Sequence, residues 1–358
     1  MRVGYLVHFR GGRETGIYRK VREHVAEWSR RGVDVGLFVA TDAAGSEDWS
    51  AIPQTRRVAI LPDRSALSLA TRERVSMALR RWRPDVLYAR HGLAYPGFLL
   101  AARTMPTVLE VNADDVAEFR LTSAWRSAYG RLTRSLLLRS AAGLVHVTNE
   151  LARSPSFSRF AKPSIVVANG IDLSAYPPLP APSNGLPRLV FVGHPGSPWH
   201  GVEHVIELSR SFPSWQFDIV GPGPHELRDA PPNVTAHGVK RTEDYREILG
   251  NADVAVGSLG LYRDGLAEAS PLKVREYLAR GIPSIIGYRD SDFPEGAPFI
   301  LELPNQPDGV MSSLPAIEAF VNRSVGRRVP AESVTHLDVR VKETERLRFL
   351  GEHAGHAR

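Results

Sequence analysis

The stretch LAEASPLKVREYLARGIPSII (266–286) holds the residues whose types and spacing are best suited to chemistry. Ser270 followed by Pro271 reads as a helix start, with serine as N-cap and proline at the first helical position. Gly281 and Pro283 end that helix. Glu268 then falls in the loop just before it, Glu276 lies less than two turns inside, and Lys273 is one turn before Glu276 on nearly the same face. The amides near Leu272 and Lys273 lack intrahelical partners, and with the helix dipole they form an anion site suited to a diphosphate. A carboxylate one turn in can accept two hydrogen bonds from a vicinal diol such as a ribose. A carboxylate ahead of the helix can reach the other end of the same ligand. The competing reading is a surface helix with ordinary i,i+3 and i,i+4 charge pairs, Glu276 with Arg280 among them.

Such a helix needs a scaffold, and strand-like and helix-like patterns alternate from the start of the chain. VGYLVHF (3–9) is a short apolar run, followed by a helix whose Ile17, Val21, Val25 and Trp28 share one face and which Gly32 ends. VDVGLFVA (33–40), DVLYA (85–89), TVLEV (107–111), GLVHV (143–147) and SIVVA (164–168) are further buried-strand candidates. Continuously apolar strands in β-α units predict an α/β fold with parallel sheets covered on both faces. Residues 1–175 form the expected first domain. Five prolines then fall within 176–187, which reads as an extended interdomain linker. The rhythm restarts at RLVFVG (188–193) and runs through WQFDIVG, NVTAHG, ADVAVGS and IPSIIG, with helices over 201–210 and 242–250. This second domain is expected over 188–333. The last segment, 334–358, is helical and charged. Two such domains would leave a cleft at the carboxyl ends of their strands, where open α/β sheets bind ligands.

The chain has 358 residues, 43% hydrophobic and 23% charged, as expected of a soluble globular protein. It has no cysteine, which excludes a disulfide scaffold, a zinc–cysteine site and a cysteine nucleophile. No apolar run is long enough to span a membrane, and MRVGYLVHF reads as a first strand and not as a signal peptide. A cytoplasmic location is expected. Residues 1–175 hold 26 Lys+Arg against 16 Asp+Glu, whereas 176–358 hold 19 against 23. The basic first half points to something anionic, a phosphorylated acceptor or anionic lipid, or simply to an Arg-rich solvated surface. Nucleic acid is not expected, since no nucleic-acid-binding motif occurs.

The segment 266–286 resembles the E-x7-E motif of the large retaining GT-B glycosyltransferase family, family 4, with Glu268 and Glu276 matching its two glutamates. SPLKVREYLARGIPSI is similar to the SPxKxxEYxAxGxPVI variant. Other landmarks occur in the family's order over about residues 2–290, among them GGRETGIYRKVREHVAEWSRRGVDV, DVLYARHG, GLVHVTNEL and FDIVGPGP. The resemblance implies a GT-B fold, two Rossmann-like domains facing a central cleft, with the terminal helix packing back on the first domain. It implies transfer of a sugar, with retention, from a nucleoside-diphosphate sugar to a hydroxyl acceptor. It also implies roles: Glu276 on the donor ribose, Glu268 on the donor sugar, and the amides at Leu272 and Lys273, with Ser270 beside them, on the diphosphate. Gly221, Gly223, Val239 and Lys240 would line the base pocket. Gly11 and Gly12 would let backbone approach the donor. His91, after the strand 85–89, would face the reacting sugar. Arg13, Arg90, Asn112 and Asp114 would lie on the acceptor side.

Where many family members carry an Arg/Lys pair, this chain has GHPGSPWHG, with His194 and His200 near those positions. A neutral imidazole is a weaker counterion, so Lys273, with Arg263 second, is expected to take over. No cofactor and no metal are expected, the nucleotide sugar being substrate; Asp290-Ser291-Asp292 spells D-x-D but reads as turn chemistry. In the region 123–141, Arg126, Arg131, Arg134 and Arg139 stand beside Leu132 and Leu136–Leu138. The preferred reading is a Rossmann helix with leucines inward and arginines in water. The other is a helix lying on anionic lipid. The rival functions are another enzyme on the same fold and a catalytically silent nucleotide-sugar-binding protein.

Overall fold

The structure is a computed structural model that describes residues 1–13, 15–61, 65–117, 124–194, 196–241 and 244–355. The chain divides into two compact units, Met1–Ala168 with Val339–Arg358, and Asn169–Asp338.

The first unit is built on β1 (Arg2–His8), β2 (Asp34–Thr41), β3 (Thr55–Ile60), β4 (Val86–Arg90), β5 (Thr107–Val111), β6 (Gly143–His146) and β7 (Ser164–Val166). They pair in parallel in the order β3-β2-β1-β4-β5-β6-β7. Around them run α1 (Gly16–Arg30), α2 (Ala43–Ser50), α3 (Ser65–Trp82), α4 (Pro96–Thr104), α5 (Ala124–Ser140) and the short α6 (Asn149–Arg153) and α7 (Pro155–Ser158). The central strands are apolar on both faces because helices cover both. α1 lays Val21, Val25 and Trp28 on the sheet, where Trp28 stacks on Tyr5 at 5.5 Å and meets Tyr88 edge-on at 5.5 Å. Gly32 ends the helix at φ +77°, a conformation that glycine adopts without strain.

In the second unit, β8 (Arg188–Val192), β9 (Gln216–Val220), β10 (Val234–Gly238), β11 (Val254–Val256), β13 (Ser284–Ile286) and β15 (Ile300–Glu302) form a parallel sheet ordered β10-β9-β8-β11-β13-β15. β12 (Glu268–Ala269) and β14 (Arg289–Asp290) make a separate two-stranded ribbon. The helices are α8 (Val202–Ser211), α9 (Arg246–Asn251), α10 (Leu272–Ala279) and α11 (Leu314–Ser324). α9 is shorter than the 242–250 expected, and Thr242 and Glu243 lie outside the described residues. In both sheets the strand order reverses beside the first strand, the place where α/β sheets of this kind bind ligands.

The proline-rich segment is not a free linker. Asn169 donates its backbone N–H to Ser270 Oγ (2.9 Å), Leu179 N–H bonds the Arg280 carbonyl (3.0 Å), and Arg328 Nε bonds the Pro180 carbonyl (3.1 Å). Prolines leave their carbonyls available, and arginine side chains of the second unit take them up. The chain crosses between units at 168/169 and 338/339 instead.

The last helix, α12 (Val339–His353), belongs to the first unit and packs on α1. Phe349 and Leu350 join the core of that unit. Glu343 accepts from Trp28 Nε1 (2.7 Å) and pairs with Arg346, both charges fully buried. Burial pushes His24, 3.3 Å from Glu343, down to about 3, so it is neutral there. Removing one partner of such a buried pair typically costs about 3–5 kcal/mol.

Candidate functional site

The expected site helix is α10, with its first turn one residue later than read from the sequence. Pro271 is the N-cap, extended at ψ 136°, and its carbonyl receives the amides of Val274 (3.1 Å) and Arg275 (3.3 Å). Ser270 is therefore not the cap. Its hydroxyl is captured by the Asn169 amide and by Arg275 Nη2, each at 2.9 Å. Arg275 in turn makes two 2.7 Å bonds to Asp290 and lies 3.0 Å from Asp292. Both carboxylates of the D-x-D sequence thus neutralise one buried guanidinium and tie the start of α10 to β14. Among the described residues no cluster of metal-ligating side chains occurs.

Lys273 points into the unit. Its Nζ is buried with no hydrogen-bond partner, 4.4 Å from the centre of the Phe191 ring. Burial pushes its pKa down to about 7. Leu272 and Lys273 sit at the positive end of the helix. Glu276 is 2% exposed, and its Oε2 accepts from the Tyr245 hydroxyl at 3.0 Å. The Arg280 guanidinium lies over the Tyr176 ring at 5.0 Å. Glu268 is not in a loop. It stands on β12, in register with Arg289, whose Nε is 3.7 Å from its carboxylate.

The loop after β8 lies at the topological switch point. His200 Nδ1 accepts the His194 amide at 3.0 Å, and burial, followed by the charge of Lys273, drives its pKa down to about 2. His200 is therefore a neutral acceptor and does not replace a cation. Arg263 is not a spare cation either. It pairs with Glu203 and donates to the Pro198 carbonyl at 2.6 Å, which clamps the turn Pro198–His200. Gly221 is at φ +116°, and a Cβ there would lie 1.9 Å from the Gly193 carbonyl oxygen. Only glycine lets these two loops touch. Gly221 N–H bonds the Gly238 carbonyl (2.9 Å), and Gly223 N–H bonds Glu226 (2.7 Å). Beside them lies a cavity of about 190 Å³ lined by Phe191, His194, His200, Val202, Pro222 and Glu226. Val239 is exposed and Lys240 half-buried, and both are outside that lining.

In the first unit, most of the expected residues are engaged in holding the fold. The His91 side chain is 2% exposed, 3.3 Å from Asp115 and edge-on to Phe157, so it is packed inside rather than facing a sugar. Burial alone would raise Asp115, but His91 and Arg134 hold it below the usual carboxylate range. Asp114 accepts from the Val116 amide (3.0 Å) and Ser156 hydroxyl (2.8 Å), a local turn anchor. Gly12 makes room for Asp48, whose Oδ2 lies 2.2 Å from where a Cβ would be, and Arg13 pairs with Asp48 at 2.8 Å. Gly11 is at φ +99°, with its amide on Asp42 (3.2 Å) and its carbonyl on Trp49 (2.8 Å). Arg90, at the end of β4, is in register with Glu110. Sequence reasoning missed Lys20. Buried on α1, it bonds Glu110 (2.7 Å) and Asn112 (2.8 Å), and burial lowers it to about 8 although Glu110 raises it. Its signal was a lysine on the apolar face of a helix.

Residues 15–175 match the family model described as Glycosyltransferase Family 4. The first domain is thus similar to glycosyltransferase family 4. Solved structures similar to the chain include GT-B glycosyltransferases. Sucrose-phosphate synthase from Thermosynechococcus elongatus has 15% identity over 97% of this chain and 98% of its own, with a TM-score of 0.67. A glycosyltransferase from Rickettsia africae has 11% identity over 99% of each chain, with a TM-score of 0.67. Anabaena HepE, in complex with UDP and glucose, has 16% identity over 98% of this chain and 100% of its own, with a TM-score of 0.64. A comparison with curated protein sequences gives no match. The chain therefore has the GT-B fold, a domain similar to family 4 followed by a second Rossmann-like domain that carries the E-x7-E helix α10.

Proposed function

We propose that this protein is a retaining glycosyltransferase of family 4 that moves a sugar from a nucleoside-diphosphate sugar to a hydroxyl acceptor. The observation that carries the reading is Lys273, an ammonium group buried with no hydrogen-bond partner at the positive end of α10, one turn before the buried carboxylate of Glu276. Burying a lone cation is costly, and a diphosphate is the ligand that would repay it. In this reading Glu276 takes the ribose hydroxyls and Glu268 the sugar. As the C1–O bond to the β-phosphate breaks, charge grows on the leaving oxygen, and Lys273 with the first-turn amides of α10 stabilises it. The acceptor oxygen bonds C1 on the same face, and its proton passes to the leaving phosphate. No metal is required, since protein cations and dipoles supply the positive charge and Arg275 holds the D-x-D carboxylates. UDP is the base to test first, because HepE was solved with UDP and glucose.

Slow release of UDP from UDP-glucose without acceptor is the expected activity of the wild-type protein. Glu268→Ala should cut that rate about a hundredfold or more while leaving UDP affinity within about threefold, since Glu268 would touch only the sugar. Coupled detection of UDP measures the first and calorimetry the second. Binding of UDP-sugars without release in any nucleotide family would favour a binding protein with no transfer activity.

A further inference from the structure

α5 meets the expectation drawn from its sequence only in part: Leu137 and Leu138 are inside and Arg131 and Arg139 in water, but Arg134 is inside and Leu132 and Leu136 are outside. Arg134 faces inward, 5% exposed, with Nε 2.9 and 2.8 Å from the Asp115 oxygens and Nη1 on the Ser156 carbonyl at 2.7 Å. Leu137 and Leu138 are buried with it. Trp125, Tyr129, Leu132 and Leu136 recur at i, i+4, i+7 and i+11, one face of a helix over roughly 16 Å. Leu132 is 78% exposed, Trp125 60% and Leu136 42%. This face is built and not frayed. Trp125 stacks on Tyr129 at 5.4 Å, and the Tyr129 hydroxyl donates to the Ala94 carbonyl at 2.8 Å.

The charge around the stripe selects its occupant. α5 carries four arginines and no carboxylate, and Arg131 and Arg139 are exposed. The helices α3 and α4, packed in the same layer, add five arginines against the single Glu73, with Met77 and Leu100 each 44% exposed. A single exposed leucine is ordinary, whereas a continuous aromatic and aliphatic stripe in a one-signed basic field is an interaction surface. A second copy of this chain would bring Arg131 and Arg139 against their equals across a two-fold axis. A bilayer with anionic headgroups satisfies both parts: acyl chains take the leucines, the headgroup layer takes Trp125 and Tyr129, and the phosphates take the arginines.

We propose that this face of α5 docks the protein on anionic lipid bilayers. The proposal is independent of the donor-site reading. It is tested by co-sedimentation of the full chain with vesicles of phosphatidylcholine alone or mixed with phosphatidylglycerol. Wild type should pellet with the mixed vesicles and progressively less as salt rises. Leu132→Glu should lower that partition at least about tenfold, and Arg131→Glu should lower it on mixed vesicles alone. Both side chains stand in water, so both variants should keep the wild-type melting temperature. Failure of wild type to pellet with mixed vesicles, or equal pelleting of wild type and Leu132→Glu, would overturn the proposal. So would a wild-type dimer in light scattering that Leu132→Glu splits, because the face would then be a contact between copies.

Discussion

Lys273→Met should weaken UDP binding about a hundredfold or more while raising the melting temperature of the free protein. The two effects have one cause. Lys273 Nζ is buried beside Phe191 and has no hydrogen-bond partner, so the free protein carries the cost of a desolvated ammonium group. Methionine fills similar volume without that cost, and a gain of about 1–3 kcal/mol would raise the melting point by a few degrees. A phosphate, by contrast, loses a charge-assisted bond worth about 1.5–3 kcal/mol together with the local charge. The pH dependence follows from the depressed pKa. Folding lowers Lys273 from 10.5 to about 7, so between those values the unfolded chain binds a proton that the folded chain has released. Wild-type stability therefore rises with pH through that window, and the penalty is fully present below it. The gap between Lys273→Met and wild type should be widest at pH 7 and below and close as pH approaches 10. UDP affinity of wild type should fall above pH 7, by up to about tenfold per unit, because binding then requires proton uptake. A variant with wild-type affinity and unchanged melting would remove Lys273 from the site.

Glu276→Ala should reduce UDP affinity by about a hundredfold or more. A carboxylate that accepts two ribose hydroxyls contributes about 1.5–3 kcal/mol per charged hydrogen bond. The same substitution leaves the Tyr245 hydroxyl, now 3.0 Å from Oε2, without its acceptor, and should lower stability by about 1–3 kcal/mol. Glu276→Gln separates the two effects. Its amide oxygen still serves Tyr245, so stability should return, while affinity stays about tenfold down because the charge is gone. Titration calorimetry and urea unfolding measure the pair. Tight UDP binding by Glu276→Ala would show that the carboxylate only buttresses Tyr245.

What the sequence made legible was periodicity and the ends of strands. Continuous apolar runs such as GLVHV located the inner strands because helices cover both faces, whereas TRRVAI, an edge strand with exposed arginines, and the short ILE of β15 carry no such pattern. Lys273 and Glu276 were legible because helix spacing alone puts them one turn apart. What spacing cannot give is the partner of each polar group. Ser270 looked like a cap until Arg275 claimed it, Asp290 and Asp292 looked like a turn or a metal pair until the same arginine bound both, and Gly12 looked like space for a ligand where Asp48 stands. His91 failed in the same way: position after a strand suggested a reacting group, and Asp115, twenty-four residues on, holds it inside. Composition placed leucines inside α5 and arginines outside, but a buried Asp115 needs a cation, and Arg134 supplies it.

The most direct test is hydrogen–deuterium exchange with and without UDP-glucose. Binding as proposed should slow exchange in four stretches of the second unit, 193–201, 221–223, 238–240 and 272–276, and Glu276→Ala should abolish that protection. Protection confined to the first unit, or its persistence in the second unit of Glu276→Ala, would contradict the placement of the donor on α10.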